Sequence, residues 1–390
     1  MEAYLLDWAS LLARWLHLIT GIAWIGASFY FIWLDNHLEV PKSRDNPRLT
    51  GEIWAIHGGG FYHNQKYLLG PAKLPETLHW FKWEAYFTWM SGMLVLGLVY
   101  WASASAYLID KSVADLSVGA AIAISAGVLV AGWVVYDVLC RLLKSEWALG
   151  VVVYVALVAA SWGLSQVFSA RAAYIHVGAI IGTIMVWNVF FIIMPGQRKM
   201  VAAIMRGETP DPAPGLAGKQ RSVHNNYFTL PVLFIMISNH YPMTYGNTHG
   251  WLVLAVIMGA AVLIRHFFNL RHKGRTVWGY PIAALMLLAG VAAAIAPAKN
   301  TGGKPEVSMV RLQTVLNARC VACHSAKPTQ PGFVQPPAGL ILDSPDRIRS
   351  AALKINQQVV VGRVMPPGNL TGLTDDERAL IADWFAQGAK

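Results

Sequence analysis

The chain has 390 residues, of which 55% are hydrophobic and only 13% charged, with sixteen tryptophans and a formal net charge of +10. A soluble domain carries about a quarter charged residues, so this composition excludes an ordinary soluble protein and points to one held in a lipid bilayer. The basic residues sit in short segments between apolar stretches, without a basic domain or stacking platform, which excludes nucleic acid as a partner.

The N-terminal apolar run has no basic leader and is too long for a signal peptide, so it reads as a retained first span. A helix needs about 20 mostly apolar residues to cross a bilayer. Such segments fall near 8–34, 80–102, 117–139, 146–168, 170–195, 225–243, 248–268 and 277–296, about eight in all, with the fourth and fifth nearly fused. Long connections at 35–79 and 196–224 hold prolines, glycines and charges. The first contains "HGGGFYHNQK", whose three glycines either allow close ligand approach or make a flexible loop. The odd-numbered connections carry fifteen Lys and Arg, from Lys42 and Arg44 to Arg221 and Arg275, and the even ones only Lys111 and Arg171. The positive-inside rule then puts the odd connections in the cytoplasm and both termini outside. Cys140, beside Arg141, reads as a buried or interfacial thiol.

Within the spans, ionisable groups are costly and are functional candidates. Toward the outer side lie His17, His176, His240 and His249; toward the inner side lie His57, His63, His79, His224, His266 and His272. His37, His249 and His272 read as hydrogen-bonded interfacial residues. His17 and His176 sit inside apolar runs near Gly21, Gly26, Gly178 and Gly182, which let a flat macrocycle or a neighbouring helix approach. Lys82 can snorkel. Glu84, flanked by Trp80, Trp83 and Tyr86, can take a proton or hold a polar substrate, and Asp137 is a further embedded charge.

After a Gly/Pro/Lys linker at 297–306 the composition turns polar, and 307–390 is the length of a small domain. "ARCVACHSAK" places Cys320, Cys323 and His324 in the attachment pattern of a covalent c-type haem. Two thiols form thioethers to the porphyrin and the adjacent imidazole binds iron. Zinc would need about four ligands, and no second Cys/His pair lies nearby. Met365, followed by two prolines, is the expected second axial ligand, and His/Met ligation raises the potential, as suits an electron acceptor. "LTDDERALIADWF" then opens with a Thr374 cap and early acids. The expected architecture is all-α: a polytopic transmembrane bundle over 1–296, then a small all-α cytochrome c domain on the periplasmic side.

"LHLITGIAWIGASFYFIWLD", "HGGGFYHNQKY", "LHWFKWEAYFTWMSG" and "SNHYP", followed by a C-terminal cytochrome c motif, resemble the bacterial membrane-bound urate oxidase family over essentially the whole chain. The resemblance implies oxidation of urate by water to 5-hydroxyisourate in the bacterial inner membrane. Electrons would leave through cytochrome c toward a downstream cytochrome or terminal oxidase, without peroxide. The soluble, cofactor-free urate oxidases are unrelated, so none of their residues carry over. Urate is flat and largely anionic, and needs a cation, amide-like partners and an aromatic wall. The start of the second span and its preceding loop offer His57, His63, Lys82 and Glu84 as catalytic candidates, with Phe61, Gln65 and Trp80 beside them. If urate arrives from the cytoplasm, its electrons must cross a hydrocarbon core of roughly 30 Å. A non-covalent haem b is then expected, held by His17 with His176 or His240 outside, and by His79, His224 or His266 inside. Urate binding near the outer surface would make that relay unnecessary. The competing readings are a quinol–cytochrome c type protein, an oxidase accessory subunit, and a transporter or scaffold with a tethered cytochrome.

Overall fold

The computed structural model describes residues 2–42, 46–296 and 305–390. Arg44 and residues 297–304 of the expected linker lie outside them. Helices form at each of the eight expected spans. They are α1 (Glu2–His37), α2 (Trp83–Leu96, continued by a π-helical turn Gly97–Trp101), α3 (Val118–Leu142), α4 (Glu146–Ser165), α5 (Ala170–Trp187, running through a π-helical stretch Asn188–Ile193 into Met194–Met205), α6 (Ala213–Ser238), α7 (Gly250–His272) and α8 (Gly279–Ala294). Five stretches, Tyr4–His37, Val118–Leu142, Glu146–Ser165, Ala170–Met205 and Gly250–His272, are long and apolar enough to cross a membrane.

Local chemistry sets several starts. Ser117, Ser145 and Ser169 accept from Ala120, Ala148 and Ala172 N–H at the heads of α3, α4 and α5, satisfying donors that a helix leaves open. The Ser169 cap also separates the nearly fused fourth and fifth spans. Most of the expected 196–224 connection is helical, because α5 extends to Met205 and α6 starts at Ala213. Arg221, read as a loop cation, therefore lies inside α6. At the centre of the bundle is α5, whose Val177, Ile181 and Ile184 bury against neighbours such as Leu129, Ile235 and Leu254. Gly178 admits Ile235, whose Cγ2 would lie 2.6 Å from a Cβ there, so this glycine serves helix packing. Peripherally, α1 packs chiefly on α2, and α8 on α7.

The first connection contains an antiparallel hairpin, β1 (Leu49–His57) and β2 (Gly60–Tyr67), which a purely helical reading did not anticipate. Gly58 and Gly59 form its two-residue turn at φ +58° and +81°, a conformation demanding positive φ at both positions. The run of glycines is thus a hairpin turn. Its aromatic faces are open, with Trp54 66% and Phe61 77% exposed.

Residues 305–390 fold as helix α9 (Met309–Arg319), short helical turns, and helix α10 (Asp375–Ala386), around a core of Leu312, Leu316, Ile348, Ile355, Ile381 and Trp384. Thr374 and Glu377 form a reciprocal capping box at α10. This unit sits against the bundle end opposite the basic connections. Gly246 there meets the Gly362 carbonyl, Gly368 meets the carbonyls of Ser105 and Ile109, and Val364 packs on the bundle core.

The capping box gives a pH prediction. Partial burial pushes the Glu377 carboxyl up, but the Thr374 N–H and the Arg319 guanidinium outweigh it and hold the group below its ordinary value of 4.5. A depressed folded pKa contributes stability above the unfolded value, and that contribution is lost as pH falls through the folded one. The thermal midpoint of this unit, followed by circular dichroism, should drop on acidification below pH 4.5. Glu377→Gln should lower the midpoint at neutral pH and flatten that dependence.

Candidate functional site

At the C-terminal motif, Cys320 and Cys323 are free thiols. Burial pushes the Cys320 thiol up to about 12 and raises that of Cys323, so both are protonated. His324 donates from Nδ1 to the Leu340 carbonyl at 2.9 Å, and its backbone carbonyl accepts from Leu342 N–H at 2.7 Å. These bonds fix the ring and leave Nε2 without a partner among the described residues, the arrangement that a metal-bound imidazole uses. Met365 packs against the same core, its carbonyl held by Arg378 Nη1 at 2.9 Å. Cys320 and Met365 share this core, and with Cys323 and the oriented His324 imidazole beside Cys320 in sequence, the donor set is the one a c-type haem requires.

The membrane histidines differ in how fully they are engaged. His17 on α1 donates from Nδ1 to Thr88 O at 3.0 Å, with Ser91 Oγ at 3.1 Å, and Gly92 makes room for its ring. His17 Nε2 has no partner among the described residues. His176 is fully buried with both nitrogens engaged: Nδ1 donates to Ala172 O at 2.7 Å, and Nε2 accepts from Ser125 Oγ at 2.6 Å. Trp101 Nε1 holds Ser125 in turn at 2.8 Å. A haem iron at His176 would have to displace Ser125, whereas His17 already presents a free nitrogen. His266 pairs through Nδ1 with Tyr227 Oη at 2.7 Å. His79, which abuts Phe81, and His240 and His249 are exposed.

The residues nominated around the second span do not come together. His57 stands exposed at the hairpin turn. His63 binds Glu52 at 3.0 Å and stacks on Trp54 at 4.4 Å. Lys82 lies over Trp83, 5.2 Å from the ring centre. Among the described residues no hydrogen bond or ion pair links the hairpin to Lys82 or Glu84. Gln65 accepts from Tyr67 Oη within the hairpin, and Trp80 packs near Val186 and Met194.

A denser polar constellation lies inside the basic half of the bundle. Asp137 on α3, 6% exposed, accepts from Arg221 Nη2 and Arg141 Nε, both at 2.7 Å. Arg221, 4% exposed, also lies over the Tyr136 ring, 5.0 Å from its centre. Tyr136 Oη accepts from Asn188 Nδ2 at 3.1 Å and donates to His224 Nδ1 at 2.7 Å. His224 Nε2 in turn faces Glu146 Oε2 at 3.3 Å, on an exposed side chain. Asn188 donates also to Asn225 Oδ1 at 3.1 Å, and Asn225 to Met185 O at 2.9 Å. Two atoms of this network, Asn188 Oδ1 and Arg221 Nη1, are buried without partners among the described residues. Leaving such a group unpaired costs about 1–3 kcal/mol. Sequence reading had singled out Asp137 and His224 but missed Tyr136, Asn188, Arg221 and Asn225. A lone amide in "MVWNVFF" and the polar run "VHNNY" were the available signals. A separate cavity of about 580 Å³ lies between the bundle and the C-terminal unit, bordered by Trp251, Asn247 and the Arg363–Asp375 pair.

Fold and sites together define a mostly helical protein with five stretches long and apolar enough to cross a membrane, followed by a helical C-terminal unit that carries a Cys-x-x-Cys-His motif. A family model described as "Urate oxidase N-terminal" matches residues 3–296, and the chain belongs to that family. No curated protein and no solved structure matches it.

Proposed function

We propose that the chain oxidises urate with water to 5-hydroxyisourate in the bacterial inner membrane and passes the electrons to its own covalent c-type haem without forming peroxide. The observation that carries this reading is the coupling, in one chain, of a bundle of the urate oxidase family to a unit in which His324 Nε2 is bare and Cys320 and Cys323 are free. Cys320 and Cys323 would hold the haem covalently, and His324 and Met365 would be its axial ligands. Bound there, the haem accepts one electron at a time. Leu340 O orients His324, and Arg378 holds the Met365 loop. The C-terminal unit lies in the periplasm on this reading, with a cytochrome c or terminal oxidase downstream. Its seat at the end opposite the basic connections agrees with that orientation.

A haem b within the bundle is part of the proposal, and His17, with its free Nε2, is its best-placed ligand. Acid–acetone extraction of active protein should release a non-covalent haem and leave the thioether-linked one. Finding covalent haem alone would remove the relay and move oxidation toward the periplasmic side.

The deciding experiment mixes purified holoprotein with urate under anaerobic conditions and follows haem absorbance. Reduction by urate, with no peroxide formed when air is readmitted, is the expected result. Protein reduced by dithionite but not by urate would overturn the reading.

A further inference from the structure

We propose that the buried cluster in α3, α5 and α6 is the purine-binding site, with Asn188 and Arg221 recognising the substrate's oxo-amide edge and Tyr136, His224 and Glu146 conducting its protons outward. The proposal rests on the urate reading above and deepens it.

Recognition follows from what the cluster leaves unsatisfied. A urate edge alternates ring N–H donors with carbonyl acceptors. Asn188 Oδ1 offers a buried acceptor without a donor, and Arg221 Nη1 a buried donor without an acceptor. A third open group, Trp133 Nε1, lies one turn before Tyr136 on the same helix. Trp133 packs edge-on against Trp187 at 5.5 Å and tilted against Phe191 at 5.0 Å, so aromatic rings border this side of the cluster. Asn188 also opens the π-helical stretch of α5, a local irregularity frequent at functional sites.

The oxidation of the urate anion by water gives the 5-hydroxyisourate anion, two protons and two electrons. The new C–O bond takes its oxygen from water, and an oxidised haem held at Cys320, Cys323 and His324 would take up the two electrons one at a time. Protons need a route from the buried ring to solvent. The chain Tyr136 Oη, His224 Nδ1, His224 Nε2 and Glu146 Oε2 provides one, and it ends on an exposed carboxylate at the basic end. His224 accepts through Tyr136, and Glu146 stabilises the charge that His224 gains.

The test uses full-length holoprotein carrying Asn188→Ala or Tyr136→Phe. Arg221 is unsuitable because its removal strands Asp137. Urate turnover and equilibrium binding of urate and xanthine, which shares the pyrimidinedione edge, are measured together. Haem content and dithionite reduction control for folding. Asn188→Ala should weaken purine binding and raise KM by roughly ten- to hundredfold, the loss of one charge-assisted or buried hydrogen bond. Tyr136→Phe should lower kcat and alter its pH profile while leaving KM nearly unchanged, a split that general loosening of the helices would not produce. Wild type that binds both purines without oxidising urate, with binding lost in Asn188→Ala, keeps the site and removes the oxidation reading. Well-folded Asn188→Ala with wild-type affinity and KM overturns the site and directs attention to the cavity beside Arg363, as does a wild type that binds neither purine.

Discussion

Asp137→Ala should destabilise the bundle by about 3–5 kcal/mol, the cost of removing one partner from a buried ion pair. Asp137 is the only carboxylate bonded to Arg221 among the described residues, and it also fixes Arg141. With Asp137 gone, the Arg221 guanidinium stays charged in a site where it is almost fully buried, because arginine does not deprotonate in proteins. The comparison is with the exposed Arg206–Glu208 pair in the connection before α6, where Glu208→Ala should change stability by less than about 1 kcal/mol. Chemical denaturation of detergent-solubilised protein, followed by tryptophan emission, measures both. The double variant Asp137→Leu, Arg221→Met should recover much of the stability, since replacing both ions by apolar side chains removes the stranded charge. It should not recover urate binding. Equal, small effects for Asp137→Ala and Glu208→Ala would show that water reaches Arg221.

Legibility in the sequence depended on how local each signal was. The spans appear in the apolar runs, and the haem motif is carried by five adjacent residues, because both depend on chemistry within a short segment. The Thr374 cap is equally local and formed as its pattern suggests. The hairpin was also written locally, in Gly58-Gly59 between two β-prone runs, but short strands beside a glycine run read equally well as a loop. The buried cluster differs in kind. Arg221 belongs to a helix whose first turns are polar, so counting loop cations placed it outside the membrane. Asn188 is a single amide, and its meaning comes only from the α3 and α6 side chains that tertiary packing brings to it. His57, His63, Lys82 and Glu84 make the converse case. Neighbours along the chain, they are separated by a hairpin that turns its histidines outward.

On the function proposed above, Gly246→Val should sharply slow urate-driven reduction of a haem held at Cys320, Cys323 and His324, while leaving haem content and dithionite reduction intact. Gly246 follows the helical turn Pro242–Tyr245 and is buried at the seam with the C-terminal unit. A Cβ there overlaps the Gly362 carbonyl, and Gly362 itself is pressed against Pro242. Backbone on both sides cannot yield as a flexible side chain would, so the two units must separate. Overpacking of this kind costs roughly 1–3 kcal/mol, and each 1.4 kcal/mol lowers the docked population about tenfold once docking becomes limiting. The displaced segment continues through Arg363 and Val364 to Met365, so the seam that breaks is the one that holds the axial-ligand loop against the bundle. Stopped-flow mixing with urate reads the rate directly, and Gly119→Val, at an exposed position of α3 with open space around it, controls for the substitution. If Gly246→Val retains the wild-type rate, electrons reach the haem without docking across this seam. The C-terminal unit would then act as a tethered shuttle.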